Sequence, residues 1–268
     1  YPERFCERLK MSPDRRFMLA SFVNDAALLI DLNGDCTDAE ELLKLELTEA
    51  VCSISFSKNS RLCALGTTSG RVLVWDLHAR KPVASLSKPN ENIGSVCLGC
   101  SDELYLACGS HLERWKIQPA NEPAIKLIAR FENQSSVRVM VLTDSDDLLL
   151  AGHYSGMLAN WHLPQYQPIW KVHRSHIPSR TLALTPDGRH VTYASILNEL
   201  TLYHIETGER VGAFAAEEMG YVTGAAFSAA GDILYTSSTD GLIRIWSVPD
   251  RSQIGTLDPA LHSEFVSL

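Results

Sequence analysis

One turn signature returns along this chain at nearly constant spacing. A Ser or Thr opens a tight turn at Ser12, Ser57, Ser101, Thr143, Thr185 and Ser228, at intervals of 45, 44, 42, 42 and 43 residues. A second marker, the large apolar or aromatic residue near the end of a third strand, falls at Ile30, Trp75, Trp115, Trp161, Tyr203 and Trp246. Its intervals are 45, 40, 46, 42 and 43. Two independent markers sharing one period define a repeat of roughly 40–45 residues, room for four short strands, and such a period points to a radial repeat. No single unit of this size can bury both of its faces, so neighbouring units must pack together.

The clearest copy runs from Phe227 to Val248 and reads as three strands joined by turns at Ala230-Gly231-Asp232 and Thr239-Asp240-Gly241. Gly and Asp suit left-handed or Asx-turn positions, and the β-branched runs between them suit strands. Extended along the chain, the pattern gives repeats over about 5–48, 49–90, 91–133, 134–176, 177–219 and 220–260, with 261–268 opening a further one. The fold class expected is all-β, with four-stranded antiparallel units. One stretch, Asp38–Leu43, reads as a short helical turn that Thr37 or Asp38 could cap.

The residues that carry a family resemblance are Leu-Val-Trp-Asp-Leu at 73–77, Thr185-Pro186-Asp187-Gly188, and Ser238 to Trp246. With these, the chain resembles the WD40 repeat proteins over essentially its whole length. The resemblance implies a β-propeller. Trp75-Asp76 keeps the naming dipeptide, whereas Trp115-Lys116, Trp161-His162, Tyr203-His204 and Trp246-Ser247 depart from it. The Gly-His that usually precedes a first strand is missing from the full repeats, so the family's buried His–Ser–Asp–Trp network is expected only in part. His262-Ser263-Glu264-Phe265-Val266-Ser267-Leu268 is similar to the approach to a new first strand. The expectation is six full repeats plus the start of a seventh, cut from a longer chain and seven-bladed when complete.

A formal charge of -8 over 268 residues argues against nucleic-acid binding driven by bulk electrostatics. No run approaches the roughly 18 apolar residues of a membrane span. Seven cysteines, among them Cys52, Cys63, Cys97 and Cys108 inside apolar strands, fit reduced core thiols and a cytoplasmic or nuclear setting. His173-x-x-His176 and Cys97-x-x-Cys100 have spacings zinc can use, but neither has a second pair at structural-zinc spacing. The acidic run at 143–147 lacks the Gly and bidentate Glu of an EF-hand loop. Gly66-Thr67-Thr68-Ser69-Gly70 has neither the Lys nor the following helix of a phosphate cradle. No metal, cofactor, small-molecule substrate or catalytic constellation is expected.

What remains is a protein-binding surface. In the resembled family, the loops entering each first strand and those joining second to third strands lie on the narrower face, which usually takes partners. The residues here are Arg138, His176, Arg180, Tyr221, His111, Tyr154, Asp240 and Phe265. Arg and Tyr are the types that dominate interface energetics. The expected function is a non-catalytic scaffold that assembles a multiprotein complex. The alternatives are a regulatory or sensor propeller within a larger signalling or nucleotide-switch protein, and a ubiquitin-ligase substrate receptor. The Trp-Asp-x-Arg signature of such receptors is not matched by Trp75-Asp76-Leu77-His78.

Overall fold

The computed structural model describes residues 6–22, 26–32, 40–46, 49–89, 91–118, 124–132, 135–173, 178, 181–196, 199–216 and 219–258. They form the all-β architecture of propeller blades that the period implies. Two compact units, Tyr1–Val137 and Arg138–Leu268, divide the chain. The first unit holds three blades. These are β1–β4 (Cys6–Met11, Phe17–Phe22, Ala26–Asp31, Glu40–Glu46), β5–β8 (Val51–Phe56, Leu62–Thr67, Arg71–Asp76, Lys81–Ser87) and β9–β12 (Ile93–Leu98, Glu103–Cys108, His111–Ile117, Ile125–Glu132). The second unit holds β13–β16 (Val137–Leu142, Leu148–His153, Met157–His162, Gln167–His173), β17–β20 (Leu182–Leu184, His190–Ile196, Glu199–His204, Arg210–Ala215) and β21–β24 (Val222–Phe227, Ile233–Ser238, Ile243–Ser247, Ser252–Leu257). Each sheet runs in chain order, and its neighbouring strands pair antiparallel.

The hydroxyl that marks each repeat works as a turn clamp. Ser12, Ser57, Thr143, Thr185 and Ser228 each accept a hydrogen bond from the backbone N–H five residues on, at 2.8–3.2 Å. The same oxygen donates to a side chain close behind it, Asp14, Asn59 or Asp187, at 2.5–2.7 Å. The fourth turn residue adopts a left-handed φ in every blade: Arg15, Ser60, Asp102, Asp146, Gly188 and Gly231, between 52° and 77°. At Arg15, Ser60 and Asp146 the clamp holds a conformation that costs roughly 1–2 kcal/mol for an ordinary residue. The third blade differs from expectation. Its turn opens at Gly99, not Ser101, and is one residue shorter, because Gly99 N donates to Glu103 O at 2.9 Å.

Strand alternation puts apolar residues on both faces of each blade, and adjacent blades bury them in common clusters. Phe17, Leu19 and Leu29 pack with Ile54 and Phe56 of the next blade. Val72 and Val74 pack with Ile93, Val96 and Leu104. In the second unit, Leu150 and Leu158 pack with Val191 and Tyr203, and Leu200, Leu202 and Phe214 with Leu234 and Trp246. Each such side chain contributes about 1.5–3 kcal/mol by leaving water.

A first strand has only one partner in its own sheet, so its other edge needs hydrogen bonds from elsewhere. Side chains of the preceding blade supply them. Ser53 and Ser55 of β5 accept from Val96 N and Leu98 N at 3.0 and 2.9 Å. Arg8 Nε and Lys10 Nζ of β1 donate to Val51 O and Ile54 O at 3.1 and 3.3 Å. Arg8 and Lys10 occupy the repeat positions of Ser53 and Ser55, 45 residues earlier.

One expectation needs correction. Of Asp38–Leu43, residues 38 and 39 lie outside the described residues, and Glu40–Glu46 is the strand β4, not a helical turn. The exposed edge of β3 pairs with it from Ala26↔Glu46 to Asp31↔Glu40, and this tertiary ladder overrides the helix preference of Glu-Glu-Leu-Leu-Lys. Trp170 of β16 reaches across to the next blade. Its indole N–H donates to Ile205 O at 2.7 Å, and its ring covers Gly208 so closely that a Cβ there would sit 2.6 Å from it.

The second-to-third turns give a direct test of the backbone. Gly70 has φ +87°, and a Cβ would lie 2.1 Å from Lys88 O and 2.7 Å from Glu91 O. Gly109 has φ +52° and nothing within 4 Å of its Cβ position. Gly70→Ala should therefore destabilise the protein by at least about 3 kcal/mol, and Gly109→Ala by only about 1 kcal/mol. Urea unfolding midpoints measure both.

Candidate functional site

At one end of the second, third and sixth blades, the second-to-third turn meets the linker entering the first strand. The same backbone bond ties the two together in three blades: Thr68 N to Ala50 O, Gly109 N to Asn92 O, and Thr239 N to Tyr221 O, at 2.9–3.2 Å. These ends hold the described residues expected to bind protein, each fixed differently.

In the third blade, His111 Nε2 lies 3.3 Å from Glu91 Oε2. Behind this pair is a buried ionic cluster. Glu113 has no solvent exposure, and it accepts from Lys88 Nζ at 2.6 Å, Arg130 at 2.6 and 2.9 Å, and Trp115 Nε1 at 2.9 Å. Lys88 is 9 % exposed and also lies over the Trp115 ring at 5.4 Å. Burial alone would raise the Glu113 pKa, but the Lys88, Trp115 and Arg130 donors outweigh it and hold the carboxyl below its usual range. Burial first, then the Glu113 charge, pushes the neighbouring Cys108 thiol up to about 12. Ligating atoms of Glu91, Cys108 and Glu113 lie within 4.8 Å of one another. Lys88 and Arg130 already supply the positive charge that a cation would bring, and the thiol is held protonated, so this donor set does not suit a metal.

In the fourth blade the structure brings two of the expected residues together. The Arg138 guanidinium lies over the Tyr154 ring at 5.4 Å, and Tyr154 is 42 % exposed. The turn beneath is closed by Gly156 N donating to His153 O at 3.1 Å. His173, one half of the expected His-x-x-His pair, is exposed, with Nε2 2.9 Å from Ser155 O.

In the sixth blade, Asp240 is a structural residue. It accepts from Ser238 Oγ, from Leu242 N at 3.0 Å, from Gly220 N at 3.4 Å and from Arg244, 2.7 Å away. Burial raises its pKa, and these four donors together bring it far below the usual carboxylate range. Arg244 is 5 % exposed, so it is the buried member of the pair, and Asp240 meets it from the exposed turn. Trp246 Nε1 donates to Thr236 Oγ1 at 2.9 Å. This blade thus keeps a Thr–Trp bond and a turn Asp paired with a buried Arg, part of the network that was expected. Tyr221, 38 % exposed, is fixed at its backbone, where N donates to Thr239 Oγ1 at 3.0 Å. His176, Arg180 and Phe265 lie outside the described residues.

Sequence reading missed Lys88, Glu113 and Arg130. The available signal was Leu112-Glu113-Arg114-Trp115, because alternation puts a carboxylate on the same face as a half-buried Trp. Glu113 stands, relative to Trp115, where Arg244 stands relative to Trp246, so the third and sixth blades carry opposite charges at one repeat position. Of the thiols, Cys63, Cys97 and Cys108 are buried, Cys52 is half-buried and Cys100 exposed; none of these five is in a disulfide.

The WD domain, G-beta repeat family model matches residues 42–76 and 208–247. Among curated proteins, telomerase protein component 1 of Mus musculus is 22 % identical over 214 residues, covering 78 % of this chain and 8 % of that relative. The chain therefore spans a small fraction of that relative's length.

Removing the Glu113 charge leaves Lys88 buried against an uncharged partner, and Glu113→Gln should cost roughly 3–5 kcal/mol. Lys88→Met combined with Glu113→Leu should recover most of that loss, measured by denaturant unfolding. The depressed Glu113 pKa sets a pH dependence. Its contribution to stability is fully present above the ordinary value of 4.5 and declines as pH falls below it toward the lower folded-state value. Glu113→Gln should therefore flatten the pH–stability curve below about pH 4.5.

Proposed function

This chain is a WD40-repeat β-propeller, and from that premise we propose that it is a non-catalytic scaffold that presents preformed blade ends to protein partners, in the cytoplasm or nucleus. WD40 propellers commonly serve as protein-interaction platforms. The observation that carries this reading is the Arg138–Tyr154 stack, a cation–π pair with a 42 % exposed ring on a closed turn. Arg and Tyr are enriched among residues that dominate binding. A guanidinium already stacked on an aromatic ring loses less freedom when a partner arrives. Tyr221 offers a second exposed aromatic on a pinned backbone. Glu113 fits the same reading, because a carboxylate saturated by three donor groups holds structure and is poorly placed to transfer protons.

A second reading is favoured by one comparison. The mouse relative is named a telomerase protein component, and this chain matches 8 % of it. That coverage supports a propeller acting as a regulatory or sensor module within a longer polypeptide, with assembly into a large complex as its role.

Affinity purification of the full-length protein tests the scaffold reading. Arg138→Ala, Tyr154→Ala and Tyr221→Ala combined should reduce recovery of specific partners at least about tenfold, with an unchanged unfolding temperature. Undiminished recovery would place binding elsewhere on the molecule.

A further inference from the structure

In the second blade the first-to-second and third-to-fourth turns share the end opposite the linker, because neighbouring strands run antiparallel. The first-to-second turn of the first blade lies beside them, where Asp14 N donates to Ser60 Oγ at 3.0 Å. These turns, residues 12–16, 57–61 and 77–81, carry six cations, Arg15, Arg16, Lys58, Arg61, Arg80 and Lys81, and one acid, Asp14. The repeat-equivalent turns of the second unit carry two cations and eight acids. Positive charge is thus concentrated on two blade ends of a protein whose formal charge is -8.

Buried groups hold those cations in place. Asp31, with a side chain 0 % exposed, accepts from Arg16 Nε and Nη2 at 3.0 and 2.9 Å and lies 3.5 Å from Arg80 of the next blade. The two arginine side chains stay 44 and 47 % exposed, so the carboxylate acts from below while the guanidiniums face water. Arg16 also lies over the Phe17 ring at 5.0 Å, and the exposed His78 meets that ring edge-on at 6.0 Å. Arg61 is matched by Asp76 and Asp102 at 3.2 and 3.6 Å. With Asp31, Asp76 and Asp102 included, the described cations of this surface still outnumber its acids.

We infer that this surface binds a carboxylate-rich segment of a protein partner, read by Arg15, Arg16 and Arg80. A guanidinium presents a fork of donors that matches a carboxylate in paired geometry. Asp31 orients two of the three forks before any partner arrives, which lowers the ordering cost of binding. The net charge selects the occupant. A protein at -8 repels a long polyanion such as nucleic acid over most of its surface, whereas a short acidic segment meets the cationic turns alone. Phe17, beneath Arg16, is 1 % exposed and offers bases no stacking platform.

Fluorescence anisotropy of the full-length protein with a fluorescein-labelled octaglutamate peptide is the test. Arg15→Glu combined with Arg80→Gln should weaken binding at least about tenfold. Asp31 keeps its paired bonds to Arg16 in that variant, so the unfolding temperature should hold. If it falls, Arg15→Glu combined with Lys58→Gln carries the same expectation, with Arg16 and Arg80 both left on Asp31. Arg71→Glu, a charge reversal at the other end of the second blade, should change the affinity by less than about twofold. Failure of octaglutamate to bind the wild type overturns the inference, and so does an equal loss with Arg71→Glu. An oligouridylate of the same charge that binds more tightly than octaglutamate, and is released by the same substitutions, also overturns it, because the surface would then read a nucleic acid.

Discussion

A first strand pairs on one side only within its own sheet, and at β5 and β9 the blade before satisfies the open edge. Ser53 and Ser55 do so by accepting from two amides of β9, and Arg8 and Lys10 by donating to two carbonyls of β5. The chemistry changes from hydroxyl acceptor to cationic donor while the repeat positions stay the same. What is held fixed is the need to avoid unpaired peptide groups, whose burial costs more than most side-chain substitutions. That need joins neighbouring blades along their first strands, and the apolar clusters then fill the space behind.

The same logic governs the blade ends. The second-to-third turn and the incoming linker are tied by a recurring backbone bond, and the polar interior behind it varies. The third blade uses a buried carboxylate with two cations, and the sixth an aspartate with one arginine and a Thr–Trp bond. A buried charge is tolerated only when it is paired and hydrogen-bonded, so each blade solves the problem as a closed set. At the opposite end, acid–arginine pairs join the turns. Arg16 and Arg80 meet Asp31, and Arg61 meets Asp76 and Asp102, within the first unit. The exposed Tyr154 and the half-buried Arg138 stacked on it can then vary without disturbing the frame beneath them.

Much of this was legible from residue order because each turn clamp is local. Ser12 to Phe17, or Thr185 to His190, needs only five residues to form. The pairing of Arg138 with Tyr154 was not legible as a contact, although each residue was a candidate by type, because their geometry depends on how β13 lies against the β14–β15 turn. The Glu113 cluster was hidden more deeply. Its members come from a linker and two different strands, β11 and β12, and are separated by up to 42 residues from Lys88 to Arg130.

The sequence by itself determined the repeat, the four-strand unit and its turns, since period, alternation and turn chemistry are properties of neighbouring residues. Tertiary structure decided what the short range could not. It made Glu40–Glu46 a strand because β3 needed a partner, and it sent Trp170 to the next blade because Gly208 leaves room for its ring. It also turned Asp240 from a binding candidate into the ion-pair partner of the buried Arg244. In each case the deciding term was the satisfaction of polar groups and the filling of space between elements distant in the chain, which local propensity does not encode.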